Sequence, residues 1–279
     1  MNKRSFLKTT ITASIGLGTI PLMNRCQIAV RPNVGLQLYT VRDEMWLSPR
    51  KTLEYVAEIG YKELETAGYS EGKIYGMEPS DFNRLVTDLG MKIVSGHISY
   101  EDLKFDWGRV LEMLQETDHK YVVLPYLKEN ERNLNVYYDV IELLNEKGTE
   151  LRKLDRVMAY HNHAFEFDKI DDIMPMELLL RETDTDLVDF ELDLYWISKA
   201  GVSALDLFKR YENRFSLWHV KDMSLKGDFT EVGNGVIDFK KIFDQAQLAG
   251  MQHFFIEQDQ SIDPKKSIKT SFENVHYLF

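Results

Sequence analysis

A strand-like run followed by a helical stretch recurs eight times from Asn33 onward, and no other feature of the chain constrains its fold as tightly. The runs begin at Val34, Tyr61, Met91, Tyr121, Arg156, Leu187, Phe215 and His253, so their starts lie 27 to 38 residues apart. That spacing accommodates one strand, one helix and two loops. The helical stretches carry end signals. Ser48-Pro49 places a cap and a first-turn proline ahead of Leu53, Val56 and Ala57, and Gly60 stops the helix. Ser80 opens a second helix that closes at Gly90, and Asp238 to Ala249 reads as a third with Phe239, Ile242, Phe243 and Ala246 on one face. Eight such units predict a single-domain (β/α)8 TIM barrel over residues 31–279, an α/β fold. An open doubly wound sheet is the alternative. The first strand is expected over Val34–Tyr39 and runs on into Thr40-Val41-Arg42-Asp43, with no glycine-rich phosphate loop, so a dinucleotide site is not expected.

Charge narrows the partners. Forty-five acidic against 34 basic side chains leave a net charge of -11, whereas nucleic-acid binding needs clustered Lys and Arg. No 18-residue apolar run is present to span a membrane. Residues 1–30 differ in character: a basic start, Met1-Asn2-Lys3-Arg4-Ser5-Phe6-Leu7-Lys8, precedes a mildly apolar, acid-free stretch from Thr10 to Met23. This is the pattern of an export signal, and Lys-Arg-Ser-Phe-Leu-Lys resembles a twin-arginine signal with one arginine replaced. A periplasmic location is the expectation; a disordered or helical cytoplasmic leader is the other reading. The lone Cys26 excludes an internal disulfide, and Arg25 before it argues against a lipoprotein.

Several of the apolar runs finish in titratable side chains: Gly96-His97, His161-Asn162-His163, Glu191-Leu192-Asp193, His219-Val220-Lys221-Asp222 and Glu257-Gln258-Asp259. Strand residues two apart share a face, so Glu191 pairs with Asp193, His219 with Lys221, Glu257 with Asp259, and His161 with His163 if the strand stays extended. If those faces are the interior, the top of the barrel gathers imidazoles, carboxylates and an ammonium. A divalent cation such as Zn, Mn or Co is the simplest way to neutralise them. Each piece also has an ordinary reading: a hydrogen-bonded His pair, Asp193 capping the helix at Tyr195-Trp196, a Lys221–Asp222 ion pair, a solvated Glu257.

Together with Val34–Tyr39, Tyr160–Phe167, Phe190–Asp193 with Trp196, Val232–Phe239 and Phe255–Glu257, the segment His219-Val220-Lys221-Asp222-Met223 resembles the sugar phosphate isomerase/epimerase superfamily. These are the xylose-isomerase-like barrels, among them sugar 3-epimerases, hydroxypyruvate isomerase, inosose dehydratase and endonuclease IV. The resemblance covers residues 33 to 279. It implies one divalent metal (Mn, Zn or Co) held by His161, Asp193, His219 and Glu257. It departs from the epimerases in putting histidine where they have a glutamate on strand five, which puts simple two-carboxylate epimerisation in doubt. The implied function is a metal-dependent isomerase, epimerase or lyase that acts on a sugar or keto-sugar through a metal-stabilised enediolate. Glu257, His163, Lys221 and Glu166 are the expected catalytic groups, with Lys221 facing the developing oxyanion and Glu166 bonding substrate hydroxyls. Gln37, Glu65, His97 and Trp196 are expected to contact the substrate. Tyr39, Tyr69, Tyr100, Trp107, Tyr126, Trp196 and Trp218 lie near strand ends, where some would stack on a sugar ring. A barrel that binds carbohydrate without turnover is the competing reading. A nuclease is disfavoured by the acidic charge.

Overall fold

The computed structural model describes residues 33–278; the leader lies outside them. Eight parallel strands close into a barrel. They are β1 (Gly35–Gln37), β2 (Glu63–Thr66), β3 (Lys92–His97), β4 (Tyr121–Leu124), β5 (Val157–His161), β6 (Val188–Asp193), β7 (Leu217–Val220) and β8 (His253–Ile256). Closure pairs Gly35 of β1 with Phe255 of β8 on one side and with Glu63 of β2 on the other. This is the (β/α)8 architecture expected from the repeat.

Alternation along the strands separates two apolar clusters. Val94, Tyr121, Val123, Ala159, Leu217 and Phe255 form a small one that plugs the barrel interior. Their outward neighbours, among them Val122, Met158, Phe190, Leu192, Trp218 and Phe254, join the large cluster between strands and helices. Trp218 is fully buried there with its ring stacked 5.2 Å from Phe208, so it belongs to packing and not to a sugar site. Trp107 likewise donates its indole N–H to Glu150.

Local chemistry sets the element ends. Pro49–Ile59 is a helix with proline in its first turn, and Gly60 takes φ +118°, which a side chain would strain. Two expected boundaries shift. The first strand stops at Gln37, because the Gln37 side chain accepts the Tyr39 N–H and starts a 3₁₀ turn over Leu38–Val41. The expected helix from Asp238 to Ala249 divides into Phe239–Phe243 and Ala246–Ala249, since the Gln245 N–H bonds back only three residues, to Ile242. Among the described residues no helix is long and apolar enough to cross a membrane.

Candidate functional site

At the C-terminal end of the strands lies a cavity of about 800 Å³, the face on which barrels of this type carry their sites. His97, His161, His163, Lys221, Glu257 and Asp259 make its polar floor, and Tyr39, Tyr69, Tyr126, Phe165 and Trp196 its aromatic walls. The Asp193 and His219 side chains are fully buried at the edge of this floor.

Backbone and side chain together aim these groups. Asp193 ends β6 and caps the following helix: Oδ1 accepts the Tyr195 and Trp196 N–H groups at 2.9 and 2.8 Å. Asn162 Oδ1, just past the end of β5, accepts the Asp193 N–H at 3.0 Å. Capping consumes one oxygen and leaves Oδ2 for the site, so the structural and functional readings of Asp193 both hold. Lys221 follows β7 and makes no ion pair with Asp222. Its ammonium contacts Asp193 Oδ2 (2.9 Å), Glu257 Oε2 (2.6 Å) and Asp259 Oδ1 (2.6 Å). Asp222 instead accepts N–H groups of Met223, Gly233, Gly235 and Ile237, which ties down the loop after β7. A Cβ on Gly235 would run into the Asp222 carboxylate.

His219 Nδ1 lies 2.7 Å from Glu257 Oε2 and 3.8 Å from Asp193 Oδ2. Close as they are, these three buried atoms have no aligned hydrogen bond. One imidazole and two carboxylates with such atoms turned to one point fit a divalent cation. His161 stands at the edge of this trio, with Nε2 3.8 Å from Asp193 Oδ2. Its Nδ1 lies 3.3 Å from Glu191 Oε2, in a second cluster with His97 and His219. The four ligands expected from the sequence thus meet in one region but fall in two clusters that share His219.

Charge follows from burial and neighbours. Burial opposes charge on Glu257, yet Lys221 and His219 hold its carboxyl down at about 2. Burial and the Lys221 charge push His163 down to about 3, so its ring is neutral. Burial pushes Asp259 up to about 6 against the pull of Lys221. Burial works against a charge on His97, but Glu65 and the bond to Glu191 outweigh it and raise the ring to about 9.

Other expected residues fall elsewhere. Glu166 does not line the cavity: it is fully buried, and its oxygens accept from Tyr160 Oη (2.8 Å) and the His163 N–H (2.7 Å). It positions the backbone that carries His163. Gln37 and Glu65 are also fully buried, beneath the floor, while His97 and Trp196 face the cavity. Sequence reasoning gave Asp259 a place beside Glu257 but no role, and passed over Arg132. Asp259 carried a signal, its two-residue offset from Glu257. Arg132 carried none, because it sits in an irregular loop and is placed by tertiary contacts: it bonds Leu127 O and Tyr126 Oη and lies 3.7 Å over the Phe165 ring.

Burial pushes the Glu166 carboxyl up to about 7 despite its hydrogen bonds, from an ordinary 4.5. A raised carboxyl stabilises the fold fully below pH 4.5, and that contribution is lost as pH rises through 7, at a cost of about 3 kcal/mol. Glu166→Gln is therefore expected to flatten the fall in stability between pH 5 and 8. Urea denaturation of both proteins at the two pH values checks this, and parallel losses would refute it.

No protein-family model matches the chain. A protein named inosose dehydratase from Lacticaseibacillus casei is 22% identical over 261 residues, which cover 78% of this chain and 87% of that protein. A sugar phosphate isomerase/epimerase from Parabacteroides distasonis superimposes with a TM-score of 0.76 at 27% identity, covering 91% of this chain and 97% of the other. A xylose isomerase-like TIM barrel protein from Mycobacterium smegmatis, solved with magnesium, gives 0.66 at 15% identity, covering 88% and 95%. The chain has the xylose-isomerase-like TIM-barrel fold. The cavity of this xylose-isomerase-like chain opens where the strands end, the usual face for sites in (β/α)8 barrels.

Proposed function

We propose that this chain is an enzyme that moves or removes the proton beside a carbonyl group of a sugar or keto-sugar. Isomerisation, epimerisation and loss of a β-oxygen substituent all begin with that step. One observation carries the reading: an ammonium, Lys221, is clamped by three carboxylates on the floor of an aromatic-walled cavity. Lys221 would stabilise the oxygen on which negative charge develops. Asp259, with its carboxyl near 6, is better matched to proton removal near neutral pH than Glu257, which is held anionic at about 2. His163, neutral and packed against Phe165 and Trp196, would orient substrate hydroxyls. Asp193, His219 and Glu257, with His161 beside them, would hold a divalent cation of the Zn, Mn or Co kind. When bound, that ion would polarise the carbonyl oxygen and acidify the neighbouring C–H.

The similarity to proteins named inosose dehydratase favours the elimination branch. A phosphosugar is disfavoured, because the cavity lining offers no cluster of free Lys and Arg: Lys221 is neutralised by three carboxylates, which leaves Arg132. A free or glycosidically linked sugar, met outside the cytoplasm if the leader directs export, is the substrate class we favour. The test is incubation with candidate ketoses and keto-sugars in deuterated water, with Zn, Mn or Co supplied. Proton exchange and a new product by NMR are expected. Saturable binding with no exchange would replace the enzyme reading with that of a carbohydrate-binding barrel.

The two strand-five histidines should separate binding from turnover. His161→Ala is expected to weaken metal binding, whereas His163→Ala keeps the metal and lowers turnover or substrate affinity. Metal analysis beside kinetics decides it: metal loss that follows His163 would reverse the assignment.

A further inference from the structure

We propose that Gln37 and Glu65 form a positioning relay beneath the site that holds the His219 proton on Nε2 and leaves Nδ1 bare toward Asp193 and Glu257. The inference rests on the cation reading above and assigns two residues that never reach the cavity.

Four carboxylates surround the imidazole of His219: Glu65 and, at 3.2 Å, Glu191 face Nε2, while Asp193 and Glu257 face Nδ1. Glu65 Oε2 is 2.5 Å from Nε2, and Glu257 Oε2 is 2.7 Å from Nδ1. A ring that ligates a cation is neutral and has one N–H to share. With that proton on Nδ1, the ring would simply bond Glu257, and a cation would face an N–H in place of a lone pair. With the proton on Nε2, the lone pair points to where Asp193 Oδ2 and Glu257 Oε2 also turn, held there by the Lys221 ammonium at 2.9 and 2.6 Å. Which carboxylate takes the proton therefore decides whether the trio can act as ligands.

The geometry favours Glu65. Its contact with Nε2 is an aligned hydrogen bond, whereas the Nδ1 contact with Glu257 is not. Gln37 Nε2 donates to the same Glu65 oxygen at 2.7 Å, and Ser95 Oγ donates to the other. Gln37 is itself oriented, since its Oε1 accepts the Tyr39 N–H at 3.0 Å. Donors from β1, β3 and β7 thus fix the carboxylate of β2 in a completely buried setting. Meanwhile Lys221, 2.6 Å from Glu257 Oε2, satisfies the rival acceptor. A carboxylate behind a ligating histidine is the general device for fixing tautomer and ring orientation. Glu65 acts on the proposed ligands through His219; it does not itself line the cavity, and its other imidazole neighbour is His97 at 3.4 Å.

The test is Glu65→Gln in the full chain, titrated with Co²⁺ and with Zn²⁺, beside ¹⁵N-histidine NMR. The wild type is expected to show a far-downfield His219 Nε2–H proton. The variant should shift that resonance upfield and bind metal about 10- to 100-fold more weakly, with unchanged stoichiometry. Glu65→Asp, which keeps the charge, should restore part of the affinity. Gln37→Leu, which removes one of the donors to Glu65, should produce a smaller loss and replaces Glu65→Gln if that variant fails to fold. Wild-type affinity in Glu65→Gln overturns the relay even if the resonance moves. A resonance absent from the wild type, or indifferent to the substitution, overturns it whatever the metal does. A wild type that binds neither metal fails the cation reading itself, and with it the relay's purpose, which is a different result from a metal-binding wild type with an unaffected variant.

Discussion

Asp193→Ala and His219→Ala are each expected to lose the bound divalent ion and, with it, turnover. The two side chains come from β6 and β7 and turn Oδ2 and Nδ1 to one point beside Glu257 Oε2. A full-strength structural zinc site is worth about 10–16 kcal/mol, so loss of one donor among three or four removes on the order of 3 kcal/mol, about a hundredfold in affinity. His219→Ala should also lose some stability without metal, because the buried ring is the hydrogen-bond partner of buried Glu65. Asp193→Ala also loses a helix cap, worth about 1 kcal/mol, because Oδ1 holds the Tyr195 and Trp196 N–H groups. Asp193→Asn separates the effects, since its amide oxygen can keep the cap while the ligand charge is gone. Metal analysis of the purified variants, with urea denaturation beside it, is the check. Full metal content in both Asp193→Asn and His219→Ala would sink the site assignment.

Lys221→Met should have the largest combined effect. The stem survives, but Asp193, Glu257 and Asp259 lose the ammonium that holds them together in a buried setting. Breaking a buried ion pair by removing one partner costs about 3–5 kcal/mol, and here three carboxylates share the loss. They will retain protons more readily in the folded variant than in the unfolded chain. The sign is then fixed: the variant is least impaired at low pH and loses stability as pH rises. A saturating divalent metal should return part of that stability, because it binds the folded state and supplies positive charge at the same place. Turnover should fall by about 10²- to 10³-fold if the ammonium faces a developing oxyanion. Denaturation with and without Zn²⁺, and deuterium exchange into substrate, measure both parts. Unchanged turnover and exchange with the expected destabilisation would leave Lys221 a structural cation only.

Much of the fold was legible because its signals are local. Strand bodies such as Tyr121–Leu124 and helix punctuation such as Ser48-Pro49 to Gly60 depend on residues a few positions apart. The site was legible in part for the same reason: a period of two places Glu191 with Asp193 and His219 with Lys221, and every barrel strand delivers its last inward residue to the same end. The 3₁₀ turn after Gln37 was not legible, since one side-chain hydrogen bond, from the Tyr39 N–H, ends the strand.

By itself the sequence determined the number of units, the parallel barrel they build and the ring of His, Asp, Glu and Lys at its upper rim. Only the tertiary structure decided which partners each of those groups meets. It sent Lys221 to three carboxylates and not to its neighbour Asp222, gave Glu166 to the His163 backbone, and set Glu65 under His219, 154 residues away. Periodicity specifies which way a side chain points from its own strand. Its partner is whatever another strand places within about 3 Å of it, and that depends on barrel closure and register, which no local pattern records.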